Sequence, residues 1–219
     1  MKHSSETTKR EGVYHPRLAA FYDWIAKTAS SRRLTDPLRE ETAGQACGVV
    51  LEVGAGSGLN FPFYRPEQVE RVEAVEPDEA MLTYARERMK QATVPLTLTQ
   101  ATAEALPFVD ATFESVVVTL VWCSVNDPAR GMQEIKRVLK PEGTLLMFEH
   151  VRSQRPWIAR VQDLLTPLAS RLFGNDHWNR DTAEIVREAG FEITSLRHLR
   201  GGLQPVIVLH ARRPNQTTP

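Results

Sequence analysis

The feature that most constrains the fold is an apolar run followed by three closely spaced glycines, between Val49 and Gly58. The run Val49–Val53 suits a buried strand, and Gly54, Gly56 and Gly58 follow it at alternate positions. Glycine has no β carbon, so it tolerates positive φ and lets a ligand approach the backbone closely. The free N–H groups at a helix start favour a polar or negatively charged ligand group. The segment therefore predicts a strand, a tight turn and a helix start.

Two neighbouring features favour a ligand site over a plain glycine turn, because a lone glycine-rich loop is weak evidence. Glu52 precedes the glycines, and their Gly-x-Gly-x-Gly spacing differs from the Gly-x-Gly-x-x-Gly of dinucleotide-binding loops. A second apolar run, Val69–Val75, ends in Glu76, where an acidic residue is positioned to accept both hydroxyls of a ribose. Together these features resemble the signature of the class I S-adenosylmethionine-dependent methyltransferases.

The order of predicted elements extends the resemblance over residues 14–212. It implies one α/β domain with the Rossmann-like seven-stranded class I methyltransferase fold: a mostly parallel sheet, helices on both faces, and additional N-terminal and inserted lid helices. Residues 1–13 and 213–219 are polar and are predicted to be flexible tails. The predicted strands are Val49–Val53, Val69–Val75, Leu96–Thr99, Ser115–Val121, Thr144–Phe148, Phe191–Leu199 and Pro205–Ala211.

Composition narrows the classes of function. Lysine plus arginine (27) balance aspartate plus glutamate (27), so no global charge predicts a nucleic-acid partner. No apolar run approaches the roughly 18 residues of a membrane span, and the expected location is the cytoplasm. Cys47 and Cys123 are predicted at opposite ends of the sheet, too far apart for a disulfide. Two cysteines without a supporting cluster make a structural zinc site improbable, and no metal is predicted.

Two helices outside the regular pattern are predicted near the site. From His15 toward Arg33, apolar residues recur at helical spacing and predict an N-terminal amphipathic helix. After it, a short connection leads to the first strand, and the helix that starts at Leu59 is expected to be cut early by Pro62 and Pro66.

A lid insertion is predicted over residues 152–178, with a helix at residues 155–173. Pro167 is expected to kink or split this helix, which is predicted to pack as a roof over the substrate pocket. Arg155, Arg160 and Arg171 on its polar side also permit contact with a membrane surface. Its predicted apolar face contains Trp157, Ile158, Val161, Leu164, Leu165, Leu168 and Leu172.

The resemblance implies roles for the cofactor-binding residues. The glycine loop approaches the methionine part of the cofactor, Glu76 binds the ribose, and Ala103 and Glu104 meet the adenine. Met81 is placed to cover one side of the adenine, and Tyr22 belongs to a Tyr-Asp pair like that of quinone and phospholipid methyltransferases. Ordinary core packing is the alternative for these last two. The predicted set is Tyr22, Glu52, Gly54, Ala55, Gly56, Gly58, Asn60, Glu76, Pro77, Met81, Ala103, Glu104, Thr119 and Leu120.

A closer resemblance concerns the acceptor. The segments Val117–Val125, Phe148–Val151 and Trp178–Thr182 are similar to the group that includes the microsomal alkyl-thiol methyltransferases of animals. This resemblance implies methylation of a small thiol by S-adenosylmethionine, with S-adenosylhomocysteine as product. The animal enzymes carry an N-terminal hydrophobic anchor that is not seen here, so their membrane location is not transferred. Asp176 stands where related sequences often have cysteine.

Thiol methylation suggests which groups act on the acceptor. A thiol reacts as its thiolate, so a base or a positive charge assists it. His150 and His177 are the candidate bases and Arg180 the candidate charge, although a histidine at a strand end is often only hydrogen-bonded to a neighbouring loop. Cys123 is expected to line the pocket rather than to act as a nucleophile. The predicted apolar substrate mouth consists of Phe21, Trp122, Cys123, Trp157 and Trp178.

Four other functions compete with thiol methylation. A quinone ring carbon or the amine of a phospholipid head group would suit the same cofactor and the same lid. A nicotinamide-dependent oxidoreductase is disfavoured by the glycine spacing and by the lack of a Tyr-x-x-x-Lys pair. A non-catalytic cofactor-binding module is disfavoured by the intact glycine loop and by His150.

Overall fold

The computed structural model describes residues 14–172, 176–199 and 202–215, so the predicted tail at residues 1–13 lies outside the described residues. Seven strands in these ranges form one sheet in the order β3-β2-β1-β4-β5-β7-β6. Strands β1 to β5 pair in parallel, and β7 is antiparallel to both β5 and β6. The predicted Rossmann-like fold is therefore confirmed. The strands are β1 (Gly48–Val53), β2 (Val69–Val75), β3 (Leu96–Thr99), β4 (Phe113–Thr119), β5 (Leu139–His150), β6 (Glu192–Leu199) and β7 (Val206–Arg212).

Helices cover both faces of the sheet. Val116 and Val118 of β4 belong to one buried cluster, and Val117 between them belongs to the other. Successive side chains of a strand point to opposite faces, so β4 is buried on both sides, as its apolar sequence predicted. No helix in the described ranges is long and apolar enough to cross a membrane. The helices are α1 (Pro16–Ala26), α2 (Ala29–Glu41), α3 (Glu79–Met89), α4 (Pro128–Val138), α5 (Pro156–Leu172) and α6 (Thr182–Glu188).

The predicted N-terminal helix is two helices. Thr28 separates them: its hydroxyl donates to the Ile25 carbonyl at 2.8 Å and accepts from the Ser31 N–H at 3.3 Å. Thr28 therefore caps the start of α2. This helix continues to Glu41, so the prediction of a connection after Arg33 is wrong. Beyond β1, the predicted first helix is reduced to a single short turn, Phe61–Phe63. Pro62 lies in the first turn, where proline is tolerated, whereas Pro66 would stand in the interior of a longer helix, where proline is unfavourable.

The ends of β4 and β5 differ from their predicted positions. Strand β4 stops at Thr119 because Leu120 adopts a positive φ of 57°. The predicted turn at residues 140–143 is present as a bulge inside β5: Phe113 pairs with Leu139, but Ser115 pairs with Thr144. Both differences are local and leave the carboxyl ends of the two strands side by side.

Only part of the apolar face predicted for α5 is buried. The helix continues through Pro167 without splitting, and its buried side holds Gln162, which accepts from the Ser153 N–H at 2.7 Å. Gln162 also donates to the Val151 carbonyl at 3.1 Å and to the Leu203 carbonyl at 2.9 Å. The polar side chain fixes the helix in place, so part of the predicted apolar face points outward. Buried with Gln162 are Ile158, Ala159, Thr166 and Ala169, whereas Trp157, Leu164 and Leu168 are exposed.

Residues 213–215, which belong to the predicted flexible tail, are hydrogen-bonded to the sheet. The Arg213 N–H donates to the Gly143 carbonyl at 3.0 Å, and the Asn215 N–H donates to Glu142 at 3.0 Å. Residues 213–215 are thus attached to the bulge of β5, and residues 216–219 lie outside the described residues. Cys47 and Cys123 are both free, in agreement with the prediction.

Candidate active site

The three glycines of the loop after β1 meet different surroundings. A β carbon built on Gly54 would lie 2.4 Å from Val121, and one on Gly58 would lie 2.4 Å from the Phe61 ring. One built on Gly56, whose φ is 54°, would meet no atom within 4 Å. Gly54 and Gly58 are therefore required by packing, whereas Gly56 borders open space. A ligand can approach the backbone at Gly56.

Glu76 lies beside this open position. Its carboxylate accepts hydrogen bonds from the Gly56 N–H at 2.9 Å and from the Asp78 N–H at 3.0 Å. Burial raises the pKa of Glu76, and these two backbone hydrogen bonds act in the opposite direction. Glu76, which follows β2, is thus hydrogen-bonded directly to the glycine loop.

A buried polar network supports the loop from below. Asn60 donates to Glu52 and to the Thr119 hydroxyl, both at 2.9 Å, and accepts from Arg39 at 2.5 Å. The Tyr64 hydroxyl donates to Glu52 at 2.8 Å. Burial raises the pKa of Glu52 to about 7, against the effects of the Tyr64 and Asn60 hydrogen bonds and of the Arg39 charge. The Glu52 carboxylate is therefore enclosed in the network and does not face the open space at Gly56.

Arg39 and Tyr64 were not identified from the sequence. Arg39 lies in the part of α2 that was assigned to a connection, and its guanidinium is 5.5 Å from the centre of the Phe148 ring. The one available signal was Glu52 itself, since an acidic residue inside an apolar strand needs a partner. The sequence did not indicate which distant residues would supply it.

Helix α1 is fixed over the loop at both of its ends. The His15 N–H donates to Asp78 at 3.1 Å, next to Glu76. Asp23 pairs with Arg88 of α3 at 2.6 Å, and Arg88 also donates to the Ser57 carbonyl in the glycine loop. The helix that carries Tyr22 is consequently connected to both parts of the candidate cofactor site.

The residues predicted to surround an adenine lie on the connection after β3 and on α3. Glu104 accepts from the Asn126 N–H at 2.9 Å and from the Asp127 N–H at 3.1 Å, at the start of α4. Ala103 is buried, Met81 is partly buried on α3, and the Pro77 carbonyl accepts from Gln100 at 2.9 Å. Ala55 donates its N–H to the Val75 carbonyl at 3.0 Å, which holds the loop against β2.

On the other side of the site, Glu149 organises the end of β4. Both of its carboxylate oxygens accept from the Val121 N–H, at 2.9 and 3.0 Å, and the Leu120 N–H donates to the Phe148 carbonyl at 2.9 Å. Burial raises the pKa of Glu149 to about 8, so its carboxyl group is mainly uncharged at neutral pH. Glu149 thus stabilises the conformation of the turn that contains Leu120.

The segment 176–180 crosses the same end of the sheet. The His177 N–H donates to the Cys123 carbonyl at 2.9 Å, and Arg180 donates to the Trp122 carbonyl. The Arg152 N–H donates to the Arg180 carbonyl at 2.9 Å. Burial and the charge of Arg180 lower the pKa of His177. The predicted catalytic residues His177 and Arg180 are therefore brought to the carboxyl end of β4.

Asp176 and His150 have free hydrogen-bonding capacity in this region. One Asp176 carboxylate oxygen accepts from the Trp178 indole at 2.9 Å; its other oxygen and the His150 Nδ1 are buried without a partner among the described residues. Burial lowers the pKa of His150, and Asp176 opposes this. Burial also raises the pKa of Tyr22 to about 12 and raises that of Cys123, with Asp176 adding to both shifts. The Asp176 carboxylate thus lies close enough to the His150 imidazole, the Tyr22 phenol and the Cys123 thiol to shift the pKa of each.

Not all of the predicted substrate residues join this group. The Trp122 ring is fully buried in the core, where its edge lies 3.1 Å from a β carbon built on Gly131. Trp157 is exposed on the outer side of α5, and Phe21 is exposed on α1 with its ring 6.0 Å from that of Tyr22. The predicted substrate roles of Phe21, Trp122 and Trp157 stay predictions, although the surroundings of the three rings differ.

Comparison with known proteins identifies the family. Rat thiol S-methyltransferase TMT1B is 32% identical to the chain over 199 residues, which cover 84% of this chain and 81% of the rat protein. The chain belongs to the class I S-adenosylmethionine-dependent methyltransferases. Residues 51–147 of this methyltransferase also match a family model described as a methyltransferase domain.

Two further relatives show the breadth of the similarity. The ubiquinone/menaquinone biosynthesis C-methyltransferase UbiE of Marinomonas sp. is 29% identical over 188 residues, covering 76% of the methyltransferase and 74% of UbiE. The N-methyltransferase NodS of Bradyrhizobium japonicum, solved with S-adenosyl-l-homocysteine, superposes with a TM-score of 0.68 at 16% identity, covering 91% and 96% of the two chains. At that identity NodS shows the fold alone.

The residues of this methyltransferase fit the family cofactor. Open space at Gly56 lets a ligand reach the loop backbone, and the adjacent Glu76 supplies a carboxylate for hydroxyl groups. Within residues 14–172, 176–199 and 202–215, no group of three histidine, cysteine, aspartate or glutamate side chains is placed to hold a metal ion.

Proposed function

We propose that this methyltransferase methylates the sulfur of a small lipophilic thiol. The observation that carries the proposal is His150, a buried imidazole with a depressed pKa whose Nδ1 has no partner in the described part of the chain. Such a group is unprotonated at neutral pH and available as a base. The similarity to rat thiol S-methyltransferase TMT1B supports sulfur as the methylated atom.

The cofactor side of the proposal uses the glycine loop and its neighbours. Glu76 would accept hydrogen bonds from the ribose hydroxyls, the Gly54–Gly58 loop would contact the methionine part, and Met81, Ala103 and Glu104 would surround the adenine. When bound, S-adenosylmethionine supplies an electrophilic methyl group on a sulfonium centre. The fixed attachment of α1 at His15 supports a role in closing the site and excluding water.

The acceptor side of the proposal assigns the proton transfer to His150. The thiol proton would pass to Nδ1, and the electron pair that remains on sulfur would form the new bond to the methyl carbon. The bond between that methyl carbon and the sulfonium sulfur would break at the same time, and its electron pair would stay on the departing S-adenosylhomocysteine. The nearby carboxylate of Asp176 stabilises the imidazolium that forms, and its effect on the His150 pKa has the required sign. His150 later releases the proton to solvent.

Arg180 and Cys123 have supporting roles in this proposal. Arg180 contributes a positive charge beside the end of β4, which favours the anionic form of the acceptor sulfur. Burial raises the pKa of the Cys123 thiol, with Glu149 and Asp176 adding to the shift, so Cys123 stays uncharged. An uncharged thiol is a poor nucleophile, and direct transfer to the substrate needs no enzyme-bound methyl intermediate.

Methylation of a quinone ring carbon is the second candidate, because UbiE relatives match the chain at nearly the same identity. A carbon acceptor would also require a base and an apolar approach, so His150 would serve it equally. The amine of a phospholipid head group would need less assistance, since a neutral amine already carries the attacking electron pair.

A methyl-transfer assay tests the proposal. The purified protein is incubated with labelled S-adenosylmethionine and separate samples of alkyl thiol, aryl thiol, demethylated quinone and phosphatidylethanolamine. Labelled thioether is the expected product. Label only on quinone or lipid would reject the sulfur assignment, and cofactor binding without turnover on any acceptor would favour a non-catalytic module. Calorimetric measurement of cofactor binding on the same preparation separates the last outcome from an inactive sample.

A further inference from the structure

Helix α5 exposes an apolar stripe. Trp157, Leu164 and Leu168 are 63%, 79% and 58% exposed. Spacings of seven and four residues place them on one side of a helix, opposite the side that Gln162 buries. A stripe of this kind is not needed for folding, because the helix is already held by the opposite side, where Ile158, Ala159 and Gln162 are buried.

Arginines accompany this stripe. Arg155, Arg160 and Arg171 are exposed, and none of them forms an ion pair within the described ranges. The one acidic residue of α5, Asp163, is already bound by Arg152 and Asn179. The outer side of α5 therefore combines apolar side chains with positive charge that is not compensated.

A second exposed apolar group lies on α1. Trp24 is 64% exposed, and its ring stacks 6.5 Å from the ring of Phe21, which is also exposed. Both helices adjoin the segment 176–180: Asn179 bonds to Asp163 of α5, and Tyr22 of α1 lies close enough for Asp176 to raise its pKa. The two apolar groups thus border the same end of the sheet as the active site.

We propose that the outer sides of α5 and α1 form a docking surface for membranes that contain anionic phospholipid. Tryptophan and leucine side chains enter the boundary between head groups and acyl chains, and arginines on the same helix are attracted to anionic head groups. The surface would bring the active site to a bilayer in which lipophilic acceptors are dissolved. This surface is distinct from the residues proposed to perform methyl transfer.

A second copy of the chain is a less suitable occupant of α5. In a two-fold symmetric contact the same surface meets itself. The arginines of one copy would then approach those of the other, and like charges in an interface are unfavourable. An anionic bilayer offers charge of the opposite sign to the same residues.

Vesicle sedimentation tests the proposal. The full chain is mixed with vesicles of phosphatidylcholine alone or of equal parts phosphatidylcholine and phosphatidylglycerol. Binding to the anionic vesicles is expected to exceed binding to the neutral ones and to weaken with salt. Leu164→Ser combined with Leu168→Ser should lower the partition coefficient by roughly tenfold or more, because both apolar contacts are lost. Arg160→Gln and Arg171→Gln should each lower binding to anionic vesicles by about fivefold.

Val109→Ser is the matched control, since Val109 is exposed on a connection outside α1 and α5. It should leave vesicle binding unchanged, and the double leucine variant should retain wild-type turnover of a water-soluble thiol. Absence of wild-type binding to anionic vesicles, or equal binding by the double leucine variant, would overturn the proposal. A wild-type dimer that the leucine substitutions dissociate in sedimentation velocity would assign the surface to a second copy instead.

Discussion

The carboxylate of Asp23 on α1 lies 2.6 Å from the guanidinium of Arg88 on α3. Arg88 also donates to the Ser57 carbonyl, so one guanidinium joins the N-terminal helix to the glycine loop. Burial acts to raise the pKa of Asp23, but hydrogen bonds from Lys27 and Arg88 outweigh it and lower the pKa. The carboxylate is therefore charged at neutral pH and holds α1 against the candidate cofactor site.

Asp23→Asn is expected to loosen α1. Loss of a charged hydrogen bond in a partly buried position costs about 1.5–3 kcal/mol, and part of it will appear as weaker cofactor binding, by roughly tenfold. Calorimetry with S-adenosylmethionine measures the affinity, and amide hydrogen exchange over residues 16–26 measures the docking. Glu79→Gln is the control, because it removes an exposed ion pair with Arg86 on the same α3. Equal effects of the two substitutions would contradict a specific role for Asp23.

Gly54 and Gly56 are expected to respond differently to alanine. Gly54→Ala places a methyl group 2.4 Å from Val121 at a φ of 71°, and overpacking together with backbone strain should cost about 2–4 kcal/mol of unfolding free energy. Gly56→Ala costs only the strain, about 1–2 kcal/mol, since its methyl group meets no protein atom. The main effect of Gly56→Ala should instead be weaker cofactor binding. Urea unfolding and calorimetry on both variants check the contrast, and the reverse pattern would show that the open space at Gly56 is not the ligand side.

Glu76→Gln is expected to weaken cofactor binding by about ten- to a hundredfold, because a charged acceptor becomes a neutral amide. Two backbone donors, the N–H groups of Gly56 and Asp78, also lose their charged partner. The affinity is measured by calorimetry. Glu73→Gln serves as control, since Glu73 is on the same strand but faces Arg71 at 3.7 Å. If Glu73→Gln weakened binding as much, the effect would be assigned to general changes in β2.

His150→Asn is expected to change the pH dependence of methyl transfer. Burial lowers the pKa of His150 below its usual value of about 6.5, so the wild-type base is lost only when the pH falls below that depressed pKa. With an alkyl thiol, which stays protonated in this range, the asparagine variant should lose both turnover and this acid limb. Cofactor affinity should stay near normal. His198→Asn, at an exposed histidine near Gln154, should leave the profile unchanged. An acid limb that persists in His150→Asn would remove this residue from the mechanism.

Glu149→Gln is expected to alter the pH dependence of stability. Burial raises the pKa of Glu149 from 4.5 to about 8, so this carboxyl stabilises the fold fully below pH 4.5 and progressively less as the pH rises through 8. Glutamine does not titrate, and the variant should lose less unfolding free energy than the wild type between pH 5 and pH 8.5. Urea unfolding at several pH values tests this. Parallel curves for the two proteins would contradict the burial effect, because Glu52 titrates in both.

Much of the fold was predictable because its signals are local. The apolar patterns of Val69–Val75 and Leu96–Thr99 gave the observed bounds of β2 and β3. Helix α2 was not predicted in full because its sequence is mostly polar. Its position depends on the Thr28 cap and on burial of Arg39, which the local pattern does not reveal.

The site was predictable to the extent that its residues follow strand ends. The glycine loop, Glu76 and His150 were placed by that rule, whereas the directions of aromatic side chains depend on distant packing. Trp122 turns into the core because Gly131 leaves room for its ring, and Trp157 turns outward because Gln162 anchors the other side of α5. The proximity of Asp176 to His150 likewise required the path of the chain after α5.

Arg39 and Glu52 are buried in one network, so substitutions at the two positions are expected to depend on each other. Replacing Glu52 alone by an apolar residue would leave the Arg39 charge buried without its carboxyl partner, which is destabilising. Replacing Arg39 alone would remove a charge that lowers the pKa of Glu52, against the burial that raises it. Both positions are joined through Asn60, although one lies in α2 and the other in β1. Substitutions at these two positions are therefore expected to occur together among homologues, so that an arginine accompanies the acidic residue and a neutral side chain accompanies its loss.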